Sequence, residues 1–367
     1  PNLRFPEFQG EWAKCILGDI TENFNLRNKD KIQYPMFSVT NDRGFVPQSE
    51  QFEGRDMVGE DIKAYKIIHT NDFAYNPARI NVGSIAMYTG EKPCMISSLY
   101  VCFKTIKEVN NEWLMQLLKT PKMNYYYNVN GEGGVRVYLF YPNFARIRMS
   151  IPKIEEQKKI AKLLNLIDER IATQNKIIDK LQTLIKGISG RIFASIQGIE
   201  YRMGDIASIT NGNSNVQDAV TQSKDGLYPF FDRSEDIKYL PTFLFDKEAI
   251  IYPGEGTEFM PRYFKGKFAL HQRCYAIFDF NEIINARFLY FYLKTRNSYF
   301  VKNAVGSTVP SLRLDTFQKL KVIIPSKKIQ HSVSLCLSSM EQKCNVEKKI
   351  LHKLLKQKQY LLRQMFI

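Results

Sequence analysis

Apolar side chains recur in steps of three and four residues along the stretch 151–193. The series is Ile160, Leu164, Ile167, Ile171, Ile178, Leu181, Ile185, Ile188 and Ile192, with the polar Gln174 at its one gap. This heptad spacing predicts a long amphipathic helix. Pro152 lies at the predicted start, where the first turn has an amide to spare, and Glu155 and Glu156 lie at the positive end of the helix dipole. A helix of about 40 residues spans roughly 60 Å, so we expect a spacer or a docking surface.

The same pattern occurs again at the C-terminus, where Ile324-Pro325 matches Ile151-Pro152. At one constant shift and without a gap, the alignment pairs Gln157 with Gln330, Leu164 with Leu337, Leu181 with Leu354 and Phe193 with Phe366. The second apolar series is Val333, Leu337, Met340, Cys344, Leu351, Leu354, Leu361 and Met365, interrupted by the polar Glu347 and Lys358. Two such helices indicate an internal duplication, in which each apolar seam packs against the other.

The segment before each helix has short runs of β-forming residues and then a shorter helical pattern. The predicted strands of the first segment are 36–40, 65–69, 84–88 and 99–104, and its helix is 111–119. The second segment has strands at 249–252 and 274–278 and a helix near 286–294. The two segments also begin alike, since Leu17-Gly18-Asp19-Ile20 recurs as Met203-Gly204-Asp205-Ile206.

These patterns predict an α+β protein with two related domains in tandem, at 1–150 and 197–323. Each domain is followed by a long helix, at 151–196 and 324–367, and a turn over 189–200 connects the first helix to the second domain. We expect the two helices to form an antiparallel coiled coil with pseudo-two-fold symmetry. Parallel packing, the alternative, would crowd both domains at one end.

The composition supports a folded protein with a polyanionic partner. The chain of 367 residues is 44% hydrophobic and 13% aromatic, enough for two or three domains with real cores. Lys and Arg total 52 against 37 Asp and Glu, which gives a net charge of +15 spread over the whole chain. Nucleic acid is the partner that this charge favours, and a solvated charged surface is the alternative.

Cysteine usage and hydropathy bear on the compartment. The six cysteines are scattered without a Cys-x-x-Cys pair, and the chain has four histidines, so we predict neither a zinc site nor a disulfide framework. A reduced, cytoplasmic setting fits this pattern. The sequence has no apolar run of about 18 residues and no signal-peptide pattern at its start. The chain begins with Pro1, so we expect at least an initiator methionine to precede it.

The sequence lacks motifs that several classes of enzyme need. A DNA amino-methyltransferase needs an Asn- or Asp-Pro-Pro-aromatic motif, and Asn76-Pro77-Ala78-Arg79 lacks the second proline and the aromatic residue. No Gly-x-x-x-x-Gly-Lys-Ser/Thr loop is present, which argues against a motor ATPase. The loops at Gly131 and Gly254 lack the glycine spacing of a dinucleotide site. We therefore predict a non-catalytic chain that binds no cofactor and no metal.

Side chains suited to DNA contact lie in the loops of both domains. Arg136 follows a glycine-rich stretch that lets the backbone approach a groove, although a plain turn with a solvated arginine is the alternative. In His271-Gln272-Arg273, Gln pairs well with adenine and Arg with guanine. The candidate DNA-binding residues are Arg43, Arg79, Ser97, Arg136, Arg233, His271, Gln272, Arg273, Thr308, Ser311 and Arg313. The hydroxyls of Thr308 and Ser311 cap the local turn in the alternative interpretation, and we expect Tyr125-Tyr126-Tyr127 to pack rather than to stack on bases.

Taken in order, these motifs make the whole chain resemble the specificity subunit of a type I DNA restriction-modification system. The motifs are Ile151-Pro152 with Glu156-Gln157, Ile324-Pro325 with Gln330, and the Gly-Gly-Val-Arg loop at 133–136. The second copy departs from the pattern, since Ile329 stands in the place of the glutamate.

The resemblance implies a non-catalytic DNA reader with two target-recognition domains. Each domain would read one half of a bipartite, asymmetric target, and the helices would set the unread gap between the halves. Two methylation subunits would dock along the helices and flip an adenine in each half-site. S-adenosylmethionine would bind to those subunits, and restriction subunits would add ATP and Mg²⁺. The helix residues expected to dock partners are Glu156, Gln157, Leu164, Ile171, Leu181, Gln330, Leu337 and Leu354.

A second function class stays open on sequence grounds. The chain is, on this alternative, a coiled-coil scaffold with two protein-binding or ligand-binding domains and no role in DNA binding. The scaffold predicts binding that is insensitive to salt, whereas a DNA reader loses affinity steeply as salt rises.

Overall fold

The computed structural model describes residues 1–51, 62–133 and 137–366. The elements before the first long helix are β1 (Ala13–Ile16), α1 (Leu17–Ile20), β2 (Thr21–Phe24), β3 (Phe37–Thr40), β4 (Gly44–Pro47), α2 (Gln48–Gln51), β5 (Lys66–Ile68), β6 (Phe73–Tyr75), β7 (Ile85–Met87), β8 (Cys94–Ile96), β9 (Val101–Thr105), α3 (Asn111–Leu118), α4 (Pro121–Asn130), α5 (Tyr141–Ala145) and β10 (Arg148–Ile151). The long helix α6 (Ile154–Ser195) follows.

The second half of the chain follows a similar order with fewer strands. Its elements are β11 (Ile199–Arg202), α7 (Met203–Ile206), β12 (Ser208–Asn211), β13 (Tyr228–Phe231), β14 (Lys238–Leu240), β15 (Phe245–Pro253), β16 (Arg262–Leu270), β17 (Cys274–Phe278), α8 (Ala286–Lys294), α9 (Asn297–Asn303), α10 (Leu314–Gln318), β18 (Lys321–Ile324) and α11 (Lys327–Met365). The predicted α+β class and the tandem repeat are thus confirmed, and α8 and β17 have the predicted bounds.

The chain forms two compact units, each of which takes part of both long helices. The first unit is Pro1–Gln174 with Ile350–Ile367, and the second is Asn175–Lys349. This division passes through both helices, whereas the prediction treated each helix as a segment of its own. Among the described residues, no helix is long and apolar enough to cross a membrane.

The first unit is built on a four-stranded antiparallel sheet in the order β2-β9-β6-β7. Phe73, Tyr75 and Phe103 on this sheet are fully buried against Trp113 of α3 and Phe144 of α5. Two further strand pairs, β3-β4 and β5-β8, lie beside the sheet. The aromatic core fixes α3 and α5, and with them the loops that leave the sheet.

The second unit is built on a six-stranded sheet in the order β12-β17-β15-β16-β13-β14. The β13-β16 pair is parallel, and the other pairs are antiparallel. Ile250 and Tyr252 of β15 pack in the core with α8, while Ala249 and Ile251 pack on the opposite face of the sheet. Alternate residues of a strand point to opposite faces, so the continuous apolar run 249–252 is explained by burial on both sides.

Each Ile-Pro motif ends a strand and precedes a long helix. Ile151 pairs with Ala13, and Ile324 pairs with Ile199, in two equivalent antiparallel strand pairs. Because α6 begins at Ile154, Pro152 lies in the connection and not in the first helical turn, which corrects the sequence prediction. The proline ends the strand, since it has no amide to donate to a further ladder bond.

The predicted turn at 189–200 is shorter in the structure. Ser189 and Gly190 are helical, because α6 continues to Ser195. Packing does not require glycine there, because a Cβ at Gly190 would meet no atom within 4 Å. A single helical glycine costs about 1 kcal/mol, which does not end so long a helix.

Within each unit the two long helices run antiparallel, as predicted. In the first unit, Ile160 and Leu164 near the start of α6 share a core with Met365 and Phe366 at the end of α11. In the second unit, Phe193 near the end of α6 shares a core with Leu337 near the start of α11.

Candidate nucleic-acid interface

Four of the predicted side chains line one cavity of the second unit. The cavity has a volume of about 230 Å³ and is lined by Val216, Asp232, Arg233, Glu255, His271, Gln272, Arg273 and Cys274. The sequence singles out Arg233, His271, Gln272 and Arg273 one by one, and it gives no sign that the fold brings them together.

Strand pairing explains why these loops meet. Phe231, the last residue of β13, pairs with Leu270, the last residue of the parallel strand β16. Pro253, the last residue of β15, pairs with Cys274, the first residue of β17. The loops 232–234, 254–256 and 271–273 therefore leave the sheet at one edge.

Two glycines let the loop 271–273 lie against its neighbours. A Cβ at Gly254 would lie 2.0 Å from the backbone oxygen of Arg273, and a Cβ at Gly212 would lie 2.0 Å from that of Leu270. Both distances are far below van der Waals contact, so these positions require glycine. The backbone amide of Gln272 also donates to Ser214 at 3.1 Å. The backbone of this loop is thus held in place by its neighbours.

Glu255 lies between the two arginines of the cavity. Arg273 Nη1 donates to Glu255 Oε1 at 2.8 Å, and Arg233 Nη1 lies 3.9 Å from Glu255 Oε2. The arginine side chains are 62% and 70% exposed, whereas that of Glu255 is 16% exposed. The cavity therefore presents two cations to solvent over one half-buried carboxylate.

The surroundings of His271 favour its neutral form. Burial lowers the pKa of His271, and the nearby Arg273 and Arg233 lower it further against the opposing effect of Asp232 and Glu255. Its Nδ1 accepts a hydrogen bond from the backbone amide of Arg273 at 3.2 Å. The neutral ring therefore carries its proton on Nε2, where it can donate to a base or a phosphate.

Asp232 has a structural partner within the cavity wall. Lys238 Nζ donates to its Oδ2 at 2.6 Å, and the amide of Ser234 donates to its Oδ1 at 2.8 Å. Burial raises the pKa of Asp232, but the hydrogen bonds from Lys238 and Ser234 outweigh burial and hold the pKa below its ordinary value. Asp232 thus shapes the loop that carries Arg233.

The loop 305–311 borders this cavity. Val305 and Ser311 exchange backbone hydrogen bonds at 2.9 and 2.8 Å, and Ser311 forms a further bridge with Glu255. Thr308 is exposed in the middle of this loop. Arg313 lies beyond the loop, where it is exposed at the N-cap position of α10.

The candidates of the first unit lie on neighbouring loops. Arg43 is exposed in the turn between β3 and β4, and Arg79 is exposed just before a 3₁₀ turn at Ile80–Val82. The two loops touch, because Gly83, with φ of +103°, approaches the backbone oxygen of Asn41 so closely that a Cβ would lie 2.7 Å from it. A glycine is required there by both its conformation and its contact.

The structure says less about two other candidates of the first unit, Ser97 and Arg136. Ser97 Oγ accepts a hydrogen bond from the amide of Leu99 at 3.4 Å. Arg136 lies outside the described residues. Tyr127 is buried, as expected of a packing residue, whereas Tyr125 is 64% exposed.

Most residues predicted to dock partners are buried inside their own unit. Glu156, Gln157, Gln330, Leu164 and Leu337 are each at most 1% exposed. Glu156 Oε1 and Oε2 accept from Arg4 Nε and Nη2, both at 2.7 Å. Sequence periodicity places such residues on an inner helix face, but it does not say whether a partner or the same chain covers that face. Ile171, Leu181 and Leu354 are half-buried.

Sequence reasoning missed Glu255. The signal is its position between Gly254 and Gly256 directly after a buried strand, because two glycines around a charged residue mark a place where backbones approach closely. Among residues 1–51, 62–133 and 137–366, no group of three or more His, Cys, Asp or Glu side chains is arranged to hold a metal ion.

Comparison with protein families matches most of the chain. The family model described as the type I restriction modification DNA specificity domain matches residues 10–183 and 199–356. The type I restriction enzyme EcoDI specificity subunit of Escherichia coli is 29% identical over 138 residues, which are 38% of this chain and 30% of that protein. The chain spans 30% and 46% of the lengths of two curated relatives, the second from Methanocaldococcus jannaschii.

Solved structures share the fold over nearly the whole chain. The S subunit of a type I restriction-modification system from M. genitalium has a TM-score of 0.68 and 15% identity, and the match covers 100% of this chain and 99% of that chain. A chain from a structural study of complex assembly and conformational transition in the type I R-M system has a TM-score of 0.56 and 12% identity, over 99% and 98% of the two chains.

Proposed function

Because the chain belongs to the type I restriction modification DNA specificity domain family, we propose that it is the non-catalytic, sequence-specific DNA-binding subunit of a type I restriction-modification complex. Each recognition domain reads one half of a bipartite, asymmetric target. The two long helices set the length of the unread gap between the halves.

The cavity of the second unit is the observation that carries this proposal. Arg233, His271, Gln272 and Arg273 line it together on loops that backbone contacts hold in place. Arginine pairs with the O6 and N7 acceptors of guanine, and glutamine pairs with N6 and N7 of adenine, so this set is suited to the major groove. The net charge of +15 supplies attraction to the phosphates on either side.

The first unit reads the other half-site through its own loops. Arg43 and Arg79 lie on two touching loops of that unit and are exposed. These loops differ in sequence from the His271 loop, so the two half-sites differ and the target is asymmetric.

We further propose that two methylation subunits and restriction subunits dock on this chain. The docking surface includes exposed apolar residues of the long helices, since the predicted seam residues are buried. In the second unit, Ile177 and Leu184 of α6 are 38% and 51% exposed, and they are separated by close to two helical turns, so they share one face. Apolar side chains exposed on one helix face are suited to contact with a partner protein.

The methylation and restriction reactions belong to the partner subunits. The methylation subunits bind S-adenosylmethionine and flip an adenine in each half-site, and the restriction subunits use ATP and Mg²⁺. This chain binds none of these cofactors. Its own residues select the site and orient the bound subunits over it.

The experiment is a genome-wide map of N6-methyladenine in cells that carry the cognate methylation subunit, with and without this chain. We expect a split motif that appears only with the chain. A variant with Arg233, Gln272 and Arg273 all changed to Ala serves as control and should lose one half of the motif. Identical maps with and without the chain would favour the scaffold alternative.

A further inference from the structure

Glu255 is the carboxylate that contacts both arginines of the second-unit cavity. It accepts from Arg273 at 2.8 Å and lies 3.9 Å from Arg233. The other carboxylate that lines the cavity, Asp232, receives its hydrogen bonds from Lys238 and Ser234. Each carboxylate thus has a separate set of partners, and Glu255 is the one placed to orient the exposed cations.

The backbone around Glu255 is fixed on both sides. The amide of Gly256 donates to Pro310 at 3.0 Å, and the amide of Leu312 donates to the oxygen of Gly254 at 2.8 Å. Gly254 also lies against the backbone oxygen of Arg273 without room for a side chain. The carboxylate is therefore held at a set distance from the loop that carries Arg273.

The geometry of the Arg273 guanidinium determines which of its N–H donors remain available to a ligand. Arg273 uses Nη1 to reach Glu255. Within the part of the chain that the structure describes, Nε and Nη2 of Arg273 make no hydrogen bond, so the edge that they form is available to a planar acceptor pair. A guanidinium presents its donors as a rigid fork, and holding one arm fixes the direction of the other edge.

We propose that Glu255 is a positioning residue for base recognition: it holds Arg273, with Arg233 beside it, so that the Nε and Nη2 edge reads the O6 and N7 atoms of one guanine in the half-site of the second unit. This inference rests on the proposed function and adds a residue that does not itself touch the base. The same carboxylate repels phosphates, so it favours specific over non-specific binding.

The test uses the complex of this chain with its methylation subunits. Methylation rates are measured on duplexes that carry the full target and on duplexes with each base pair of each half-site changed in turn. The variants are E255A, E255Q, R273A and the double variant E255A/R273A. E200A is the matched control, because the exposed side chain of Glu200 pairs with that of Lys321 at 2.7 Å in the same unit, and neither residue lines the cavity.

We expect E255A to lose discrimination by about 10-fold at one guanine position of one half-site, as R273A does at the same position. The double variant should be no worse than R273A, because Glu255 acts through Arg273. E255Q should be intermediate, since its amide oxygen still accepts from Arg273 without the charge. Affinity for unrelated DNA should not fall in E255A, because a negative charge is removed. E200A should match the wild type.

Three results would overturn the inference. They are additive effects of E255A and R273A, an equal loss of rate on every duplex, and unchanged discrimination in both E255A and E255Q. E255Q decides the question if E255A does not fold, since it keeps the size of the side chain. Failure of the proposed function itself looks different, because the wild-type complex would then show no split target at all.

Discussion

The side-chain oxygen of Gln157 accepts a hydrogen bond from the backbone amide of Asn110 at 2.8 Å. In the second unit Gln330 and Asn285 make the same bond at 2.7 Å. Each glutamine also donates to the oxygen of its own Ile-Pro motif, at 2.9 Å. Both asparagines in turn cap the helix that follows them, α3 or α8. The Ile-Pro and Gln motifs are thus a joint between each domain and its long helix.

Loss of this joint should destabilise the protein. Q330A removes the partner of three groups: the partly buried amide of Asn285, the partly buried oxygen of Ile283 and the buried oxygen of Pro325. Each unpaired group of this kind costs about 1–3 kcal/mol, and relaxation of the structure recovers part of that cost. We therefore expect the free energy of unfolding to fall by about 3 kcal/mol. Denaturant unfolding measures it, and Q359A, on the exposed side of the same helix, should change stability little. Equal stability of Q330A and Q359A would contradict the joint.

The ion pair between Arg4 and Glu156 should hold the N-terminal segment on the first unit. Both carboxylate oxygens of the buried Glu156 accept from the guanidinium, and Trp12 Nε1 donates to it at 3.3 Å. In R4A we expect hydrogen-exchange protection of residues 5–12 to fall several-fold. R4K keeps the charge but not the fork, so it should lie between R4A and the wild type.

The two copies differ at the position of Glu156, the residue that pairs with Arg4. Ile329 stands at the position that matches Glu156, and it is 45% exposed. If protection of residues 5–12 were the same in R4A and the wild type, the apolar contacts of Phe5 and Trp12 alone would hold the segment.

Asp232 should contribute stability that depends on pH. Its folded-state pKa lies below its ordinary value, because the bonds from Lys238 and Ser234 outweigh burial. Stability from the ionised group is therefore present above the ordinary aspartate pKa of about 3.9, and it is lost as the pH falls through the folded value. We expect D232N to be less stable than the wild type at pH 7, with a difference that shrinks below about pH 4. Unfolding at several pH values measures it, and D246N, at an exposed site of the same unit, should show no such trend.

Periodicity predicted the parts of the fold that sequence neighbours determine. The heptad series located α6 and α11 to within a few residues, and α8 was predicted with its observed bounds. The motifs also pointed to the family that the comparisons confirm. The strand pairs β1-β10 and β11-β18 were missed, because each joins four-residue strands that lie far apart in sequence. Their stability comes from pairing across the domain, which leaves no local pattern.

The sequence predicted residues of the candidate site, but it did not predict that the fold brings them together. Arg273 and Gln272 were predicted from the chemistry of their side chains, which follows directly from residue type. Their meeting with Arg233 depends on the sheet order that puts β13 beside β16 and β15 beside β17. Gln157 and Gln330 show what the sequence could not predict. A polar residue on a helix is expected to be exposed, and its burial is explained only once the buried backbone groups that it pairs with are known.

The length of the long helices should set the gap between the half-sites. A change in one helix alone would break the antiparallel packing, which joins Asp168 to Lys358 in the first unit and places Ile185 and Cys344 at one cavity of the second. Seven residues should therefore be deleted from both helices, between Asp168 and Ile185 in α6 and between Cys344 and Lys358 in α11. Removal of one heptad from each preserves both apolar seams.

Seven helical residues span about 10 Å, which is about three base pairs of DNA, so the gap should shorten by roughly that amount. The half-sites themselves should not change, because the loops around Arg79 and Arg273 are untouched. Mapping of N6-methyladenine measures both quantities in one experiment. The deletion in α6 alone is the control, and it should abolish methylation because the two seams no longer match. An unchanged gap in the double deletion would mean that the partners, and not these helices, determine the spacing.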